Sequence, residues 1–186
     1  MCALDRVPTL ILISGGGTNM VSLVEKTKDF LDIRGVYSDR ESGGIEKAKS
    51  LQIPAKALGK TIFEDLKKIM AEETIELILL AGFLKILPQD FIASAPPILN
   101  IHPSLLPKYG GKGCYGERVH EMVFQSKDRV SGATVHRVVA GIDTGPKIMQ
   151  VRVDVSGESS AEAIGEKILP YEHALYAMAV RSFLGR

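Results

Sequence analysis

The sequence is short of cysteine, of net charge and of long apolar runs, and each shortage removes a class of function. Its two cysteines, Cys2 and Cys114, lie far apart. They make neither a disulfide framework nor a metal-type pair, and no base stands beside either to activate a nucleophile. A reduced, cytoplasmic setting is expected. Net charge is +1, with 23 Lys and Arg against 22 Asp and Glu. Neither an acidic tail nor a strongly basic nucleic-acid face is indicated, so any basic patch is local. The longest apolar run, Ile75 to Leu84, is interrupted by Glu76 and is far too short to span a bilayer. Residues Met1 to Arg6 lack the charged region and apolar core of a signal segment. There is no low-complexity tract, no internal repeat and no linker long enough for a boundary, so residues 1–186 are expected to form a single domain with a sizeable core. The expected partners are small molecules, with no nucleic acid and no membrane, for a monomer or homodimer.

What is present is an alternation of apolar and amphipathic stretches. Thr9–Ile13, Ile33–Tyr37, Ala55–Leu58, Ile75–Gly82 and Ile98–His102 read as strands. Between them, Asn19–Lys28, Gly44–Leu51, a segment from Thr61 to Glu73 and Pro88–Ser94 read as helices. Thr61 with Glu64 has the spacing of a capping box. Ile75–Gly82 is apolar on both faces, as parallel strands buried between helices are. The second half changes character. After a helix over Tyr115–Ser126, Gly132–Val139 and Lys147–Val155 alternate across a turn containing Gly and Pro, the pattern of an antiparallel pair. A last helical region runs from Ser159 or Ser160 to about Leu184, and Pro170 inside it is expected to kink or split it. The pattern predicts an α/β fold: a doubly wound, Rossmann-like sheet, mostly parallel with an antiparallel C-terminal pair, and helices on both faces.

Three segments carry chemistry. In Asn100-Ile101-His102-Pro103-Ser104-Leu105-Leu106-Pro107, strand alternation sends Asn100 and His102 to the same face at the strand's end. An amide donor beside an imidazole suits a carbonyl whose oxygen becomes negative during reaction. The other reading is a strand end with a solvated His and a capping Asn. Ser14-Gly15-Gly16-Gly17-Thr18-Asn19 joins the first strand to the first helix. Its glycines let backbone approach an anion, and the helix start offers free N–H groups. It is not a Walker motif, and Met20 stands where a dinucleotide fingerprint needs Gly, so a phosphate monoester fits better than ATP or NAD. A tight strand-to-helix turn with an Asn cap is the alternative. Val139-Ala140-Gly141-Ile142-Asp143-Thr144-Gly145-Pro146 presents a carboxylate between glycines. It is either a simple turn or a loop that sets Asp143 against His102 and raises the pKa of the imidazole.

Other candidates are weaker. Gly82-Phe83-Leu84-Lys85-Ile86-Leu87 follows the central strand and suits a flat ring, or is ordinary core. Lys108-Tyr109-Gly110-Gly111-Lys112-Gly113 is a flexible, locally basic loop that either steers an anionic substrate or is simply solvated. His120 and His136 lack a third partner at metal-ligand spacing, so no metal is expected. Glu172-His173 reads as solvent-facing on the last helix.

Taken together, Ile13–Asn19, Leu80–Leu87, Asn100–Tyr109, Gly132–Pro146 and Glu172–Tyr176 resemble the phosphoribosylglycinamide formyltransferases, folate-dependent enzymes of purine synthesis. The resemblance runs in order over nearly the whole chain. It implies transfer of a formyl group from 10-formyltetrahydrofolate to glycinamide ribonucleotide, without a metal. It implies that Gly17, Thr18, Asn19 and Met20 hold the phosphate and Glu172 the ribose hydroxyls. Phe83, Leu84, Lys85, Ile86, Leu87, Val139, Ala140, Gly141 and Asp143, with Asn100, would line the folate, and Lys60 would meet its tail. Asn100, His102 and Asp143 match the family's catalytic trio, with His102 as general acid kept protonated by Asp143.

The chain departs from that family at three places. Tyr109 is followed by Gly110-Gly111-Lys112-Gly113 instead of Pro-Gly and a His, which implies a more mobile loop. Lys60 and Lys85 stand where the family has Arg, which keeps the charge but loses the bidentate fork. Pro170 precedes Glu172 by two residues, as if a helix began anew there. The alternatives are a deformylase, disfavoured by the phosphate loop and by the lack of an N-terminal regulatory domain; a methionyl-tRNA enzyme, disfavoured because no basic domain is appended; and a non-catalytic phosphosugar or nucleotide-binding protein, which would have no use for Asn100, His102 and Asp143 together.

Overall fold

The structure is a computed structural model, which describes residues 6–186; Cys2 and the N-terminal segment judged above lie outside the described residues. Seven strands form one sheet in the order β3-β2-β1-β4-β5-β6-β7. The chain divides into two compact units, one running up to Leu99 with Arg186 added, the other Asn100–Gly185.

The first unit is parallel. β1 (Val7–Ile13) pairs in parallel with β2 (Leu31–Ser38) on one side and β4 (Leu77–Leu80) on the other, and β2 pairs in parallel with β3 (Ala55–Ala57). All four residues of β4 are buried, as the two-faced apolar pattern of Ile75–Gly82 predicts. The crossovers are α1 (Thr18–Thr27), α2 (Gly43–Ser50) and α3 (Ile62–Glu72); α4 (Gln89–Ser94) follows β4. The capping box at Thr61 does not form. A short 3-10 turn, Gly59–Thr61, precedes α3, and the Thr61 hydroxyl donates to the Leu58 carbonyl and the Asp65 carboxylate instead.

β5 (Ile98–His102) carries the division between the units: Pro97 at its entrance accepts from Ile78 N–H, and its last three residues belong to the second unit. That unit adds α5 (Glu117–Gln125), β6 (Val130–Arg137), β7 (Lys147–Asp154) and α6 (Ala161–Phe183). β6 and β7 pair antiparallel from Val130↔Asp154 to His136↔Lys147, with a register shift at Val135/His136. The mostly parallel sheet with an antiparallel C-terminal pair is thus as the alternation predicts. Ser160 caps α6 by accepting from Ala163 N–H.

Two expectations about α6 fail, a split at Pro170 and a solvent-facing Glu172. Pro170 does not split it; the helix is continuous over 23 residues. Proline leaves the carbonyl four residues back without its N–H, and here both Pro170 and Glu166 are exposed, so water can serve that carbonyl. Glu172 is not solvent-facing: it is 7% exposed and shares the inner face of α6 with Ile168, Leu175 and Tyr176.

Candidate active site

In the second unit, three chain segments bring one cluster together. β5 ends on Asn100 and His102, β6 ends near His136, and the loop between β6 and β7 supplies Asp143. His102 is 4% exposed, and its Nδ1 stands 3.6 Å from Asp143 Oδ2. His136 Nε2 stands 3.6 Å from the other carboxylate oxygen, Oδ1. Asp143 adopts a left-handed backbone (φ 57°) and accepts Gly111 N–H at 3.0 Å through Oδ2. One carboxylate therefore faces two imidazoles and ties down the glycine-rich loop.

Hydrogen-bond partners fix both tautomers. His102 Nε2 lies 2.8 Å from the Tyr109 carbonyl. A carbonyl only accepts, so this nitrogen carries hydrogen. A neutral His102 then leaves the lone pair of Nδ1 on the side of Asp143. His136 Nδ1 donates to the Arg137 carbonyl at 3.2 Å, and its Nε2 accepts the Asn100 Nδ2 amide at 3.2 Å. This bond orients the Asn100 carboxamide and leaves it a second N–H for a substrate oxygen.

Burial pushes the pKa of His102 down, against the pull of Asp143 and of the hydrogen bond to Tyr109, both of which raise it; a positively charged His136 would lower it further. Asp143 raises the pKa and burial lowers it by more, so the balance favours the neutral imidazole. For Asp143, burial pushes up. A hydrogen bond from the protonated His136 ring, the Gly111 N–H and the charge of either histidine more than offset it, and the carboxyl stays below its usual range.

The chain after His102 is held by side chains from the antiparallel pair. Thr134 Oγ1 donates to the Ser104 carbonyl at 2.6 Å and accepts Leu106 N–H at 3.1 Å. Gln150 and Lys147 both donate to the Leu106 carbonyl. A buried imidazole with a fixed tautomer, an oriented amide and a carboxylate can stabilise an oxyanion and move a proton.

In the first unit, the glycine loop is built from backbone. Gly17, at the start of α1, has φ 73°, and no side chain caps the helix there. A Cβ on Gly17 would sit 2.8 Å from Gly44 Cα, whereas Gly15 and Gly16 face open space. Gly44 N–H donates to the Gly15 carbonyl at 3.1 Å, which braces the loop against α2. Thr18 is exposed and Asn19 half-buried, while the Met20 side chain is in the core, so only its backbone can face a ligand. The N–H groups opening α1 suit an anion.

Beside this loop, Ser14 Oγ accepts Leu84 N–H at 2.9 Å, and Ser14 N–H donates to the Gly82 carbonyl. Leu84 is 44% and Ile86 64% exposed, so residues 82–87 are not ordinary core. Phe83 and Leu87 are half-buried. Lys85 bends back: its ammonium lies 5.1 Å from the Phe63 ring centre and donates to the Lys60 carbonyl. The Lys60 side chain is exposed. In the second unit, Val139 is half-buried, and Ala140 and Gly141 are exposed.

The family pattern for formyl transferases matches residues 8–180. This chain belongs to the formyl transferase family. It is 35% identical to the chloroplastic phosphoribosylglycinamide formyltransferase of Arabidopsis thaliana over 94% of its length, and spans 64% of that longer protein. It is 32% identical to the phosphoribosylglycinamide formyltransferase of Escherichia coli K12, covering 94% of this chain and 85% of that one. The crystal structure of phosphoribosylglycinamide formyltransferase from Anaplasma phagocytophilum superposes with a TM-score of 0.86 at 32% identity, covering 95% of this chain and 86% of that one. The family resemblance read from the motifs is thereby borne out.

Sequence reasoning set aside two residues that this formyl transferase brings into the cluster. His136 was excluded as a metal ligand but holds Asn100. The Tyr109 carbonyl, in a loop read as flexible, holds His102. Strand alternation offered the one available signal, since it puts His136 on the same face of β6 as Thr134. Among the described residues, no group of three His, Cys, Asp or Glu side chains is placed to hold a metal, and no helix is long and apolar enough to cross a membrane.

Proposed function

We propose that this formyl transferase moves the formyl group of 10-formyltetrahydrofolate to the amine of 5'-phosphoribosylglycinamide, giving formylglycinamide ribonucleotide and tetrahydrofolate, in de novo purine biosynthesis. The observation that carries the reading is the cluster of Asn100, His102, His136 and Asp143, in which each polar group has a defined partner. A non-catalytic phosphosugar-binding protein has no need of it.

In this reading the substrate amine attacks the formyl carbon. The free N–H of Asn100 stabilises the oxyanion. His102 takes the ammonium proton on Nδ1, where the imidazolium faces Asp143, and returns it to the departing folate nitrogen. His102 thus acts first as base and then as acid. Gly17, Thr18, Asn19 and the Met20 backbone take the phosphate, and Glu172 takes the ribose hydroxyls. Phe83, Leu84, Lys85, Ile86 and Leu87, and Asn100, Val139, Ala140, Gly141 and Asp143, are the residues for the folate. Lys60 meets the folate tail, because the Lys85 ammonium is already engaged. Residues 1–186 act as one domain, a reading supported by a family match that runs across both units. The substrates are soluble small molecules, which suits a cytoplasmic setting, and no step calls on a metal.

The test is turnover of 10-formyltetrahydrofolate with and without the ribonucleotide. Production of tetrahydrofolate that requires the ribonucleotide supports the reading. Turnover without it indicates a deformylase, and no turnover with either overturns formyl transfer.

A further inference from the structure

His102 is held on its outer side by a backbone carbonyl, and that carbonyl belongs to a residue in an unfavourable conformation. Tyr109 has φ 55°, the left-handed region that a residue with a Cβ avoids. The Lys108 ammonium lies 5.0 Å from the centre of its ring. A cavity of about 360 Å³ opens beside it, lined also by Leu105, Asp128 and Arg152. What fixes it is a hydrogen bond: Tyr109 Oη donates to Asp128 Oδ2 at 2.8 Å. Lys108 adds a second tie to the same oxygen at 2.5 Å, and the Lys108 carbonyl is itself held by the Ser104 hydroxyl at 2.6 Å.

Asp128 is a firm post. It lies in the turn between α5 and β6, where Lys127 N–H donates to the Phe124 carbonyl and Asp128 N–H to the Val123 carbonyl. A carboxylate in this turn therefore sets the direction of a carbonyl that sets the proton position on His102.

We propose that Asp128 is a positioning residue for formyl transfer: through the Tyr109 hydroxyl it aims the Tyr109 carbonyl at His102 Nε2, and so reserves Nδ1 for the proton that moves. This extends the catalytic reading above and rests on it. The groups facing His102 are Asp143 from the β6–β7 loop, His136 from β6 and His120 from α5, and none of them accepts at Nε2. If the carbonyl swings away, Nε2–H loses its acceptor, the proton spreads over both ring nitrogens, and His102 becomes a weaker base.

The test compares Tyr109→Phe, Asp128→Asn, Asp128→Glu and the Phe/Asn double variant with the unaltered chain. Tyr109→Phe and Asp128→Asn are each expected to lower kcat about tenfold, the scale of a sub-ångström misplacement, with KM for both substrates within about twofold. The double variant is expected to be no slower than the slower single one, since both cut one chain of contacts. The limb of the kcat profile that reports His102 moves to lower pH, because a contribution that raises its pKa is gone. Asp128→Glu recovers part of the rate.

Nitrogen-15 shifts of the His102 ring, recorded without substrates, read the tautomer whether or not the chain turns over. Protonation at Nε2 in the unaltered chain, giving way to mixed protonation in both single variants, supports the proposal. Unchanged shifts and an unchanged pH limb in Tyr109→Phe overturn it. So does a rate loss that only follows a lowered thermal midpoint. Failure of the unaltered chain to transfer formyl would instead strike the catalytic reading and leave the ring-nitrogen result standing.

Discussion

The loop after β1 and the cluster after β5 are made of different materials. The first presents backbone N–H groups at the start of α1, and its requirement on the sequence is the absence of a side chain at Gly17 and Gly44. The second presents an amide, two imidazoles and a carboxylate, each oriented by another group in the same unit. A backbone-built site tolerates change in the side chains around it and fails when its path is blocked. A side-chain-built site fails when any one of its few members is removed.

The largest effect should come from breaking the second kind. His102→Ala is expected to lower kcat by about a thousandfold or more while circular dichroism and the thermal midpoint stay close to those of the unaltered chain. Near-normal turnover would remove His102 from the mechanism. Gly17→Val attacks the first kind through its path. The new side chain meets Gly44 Cα and forces a left-handed β-branched residue, so a stability loss of about 2 kcal/mol is expected by chemical denaturation. Affinity for inorganic phosphate should fall with it.

Asp143→Asn sharpens the electrostatic half of the comparison. Asp143 raises the pKa of His102, so its loss should move the His102 limb of the rate profile to lower pH, with kcat down about tenfold to a hundredfold. A limb that stays in place would show that Asp143 only positions. Thr18→Ala tests the opposite expectation for the glycine loop: one donor among several is lost, and KM for the ribonucleotide should rise only about threefold to tenfold.

The smallest expected effect concerns acid stability. Burial pushes the pKa of both His102 and His120 below the ordinary 6.5. Below that value the unfolded chain binds protons that the folded one does not, so these two groups favour the fold above pH 6.5 and cease to do so as pH falls through their folded values. A His120→Asn variant should show a shallower loss of stability on acidification, measured by urea unfolding across that range. An unchanged slope would show that His120 is not a source of it.

Much of this was legible in the sequence because it depends on local pattern. The order of strands and helices follows from the alternation, and β5 falls where Ile98–His102 predicts it. Gly17 is legible because a strand-to-helix turn needs a residue free to adopt positive φ. The contacts that complete the candidate cluster were hidden because they depend on pairing between segments far apart. His136 reaches Asn100 across 36 residues, and Gly111 reaches Asp143 across 32. Glu172 was misjudged because apolar periodicity describes what a helix face prefers, whereas a charged group on the inner face answers to its surroundings. Pro170 was misjudged for the converse reason: the rule that proline ends helices assumes the orphaned carbonyl has no other partner, and an exposed turn supplies water.

The two ends of the sheet bear on how the chain behaves in concentrated solution. A chain of net charge +1 gains little from mutual repulsion, so its defence against strand-to-strand adhesion has to be local. β3, at one end, is three residues long and offers an incoming strand too few open backbone groups to hold. β7, at the other, is eight residues long but carries Lys147, Arg152 and Asp154, charges that a second chain would have to strip of water to dock. Without these charges the eight residues of β7 would be a nucleus for aggregation.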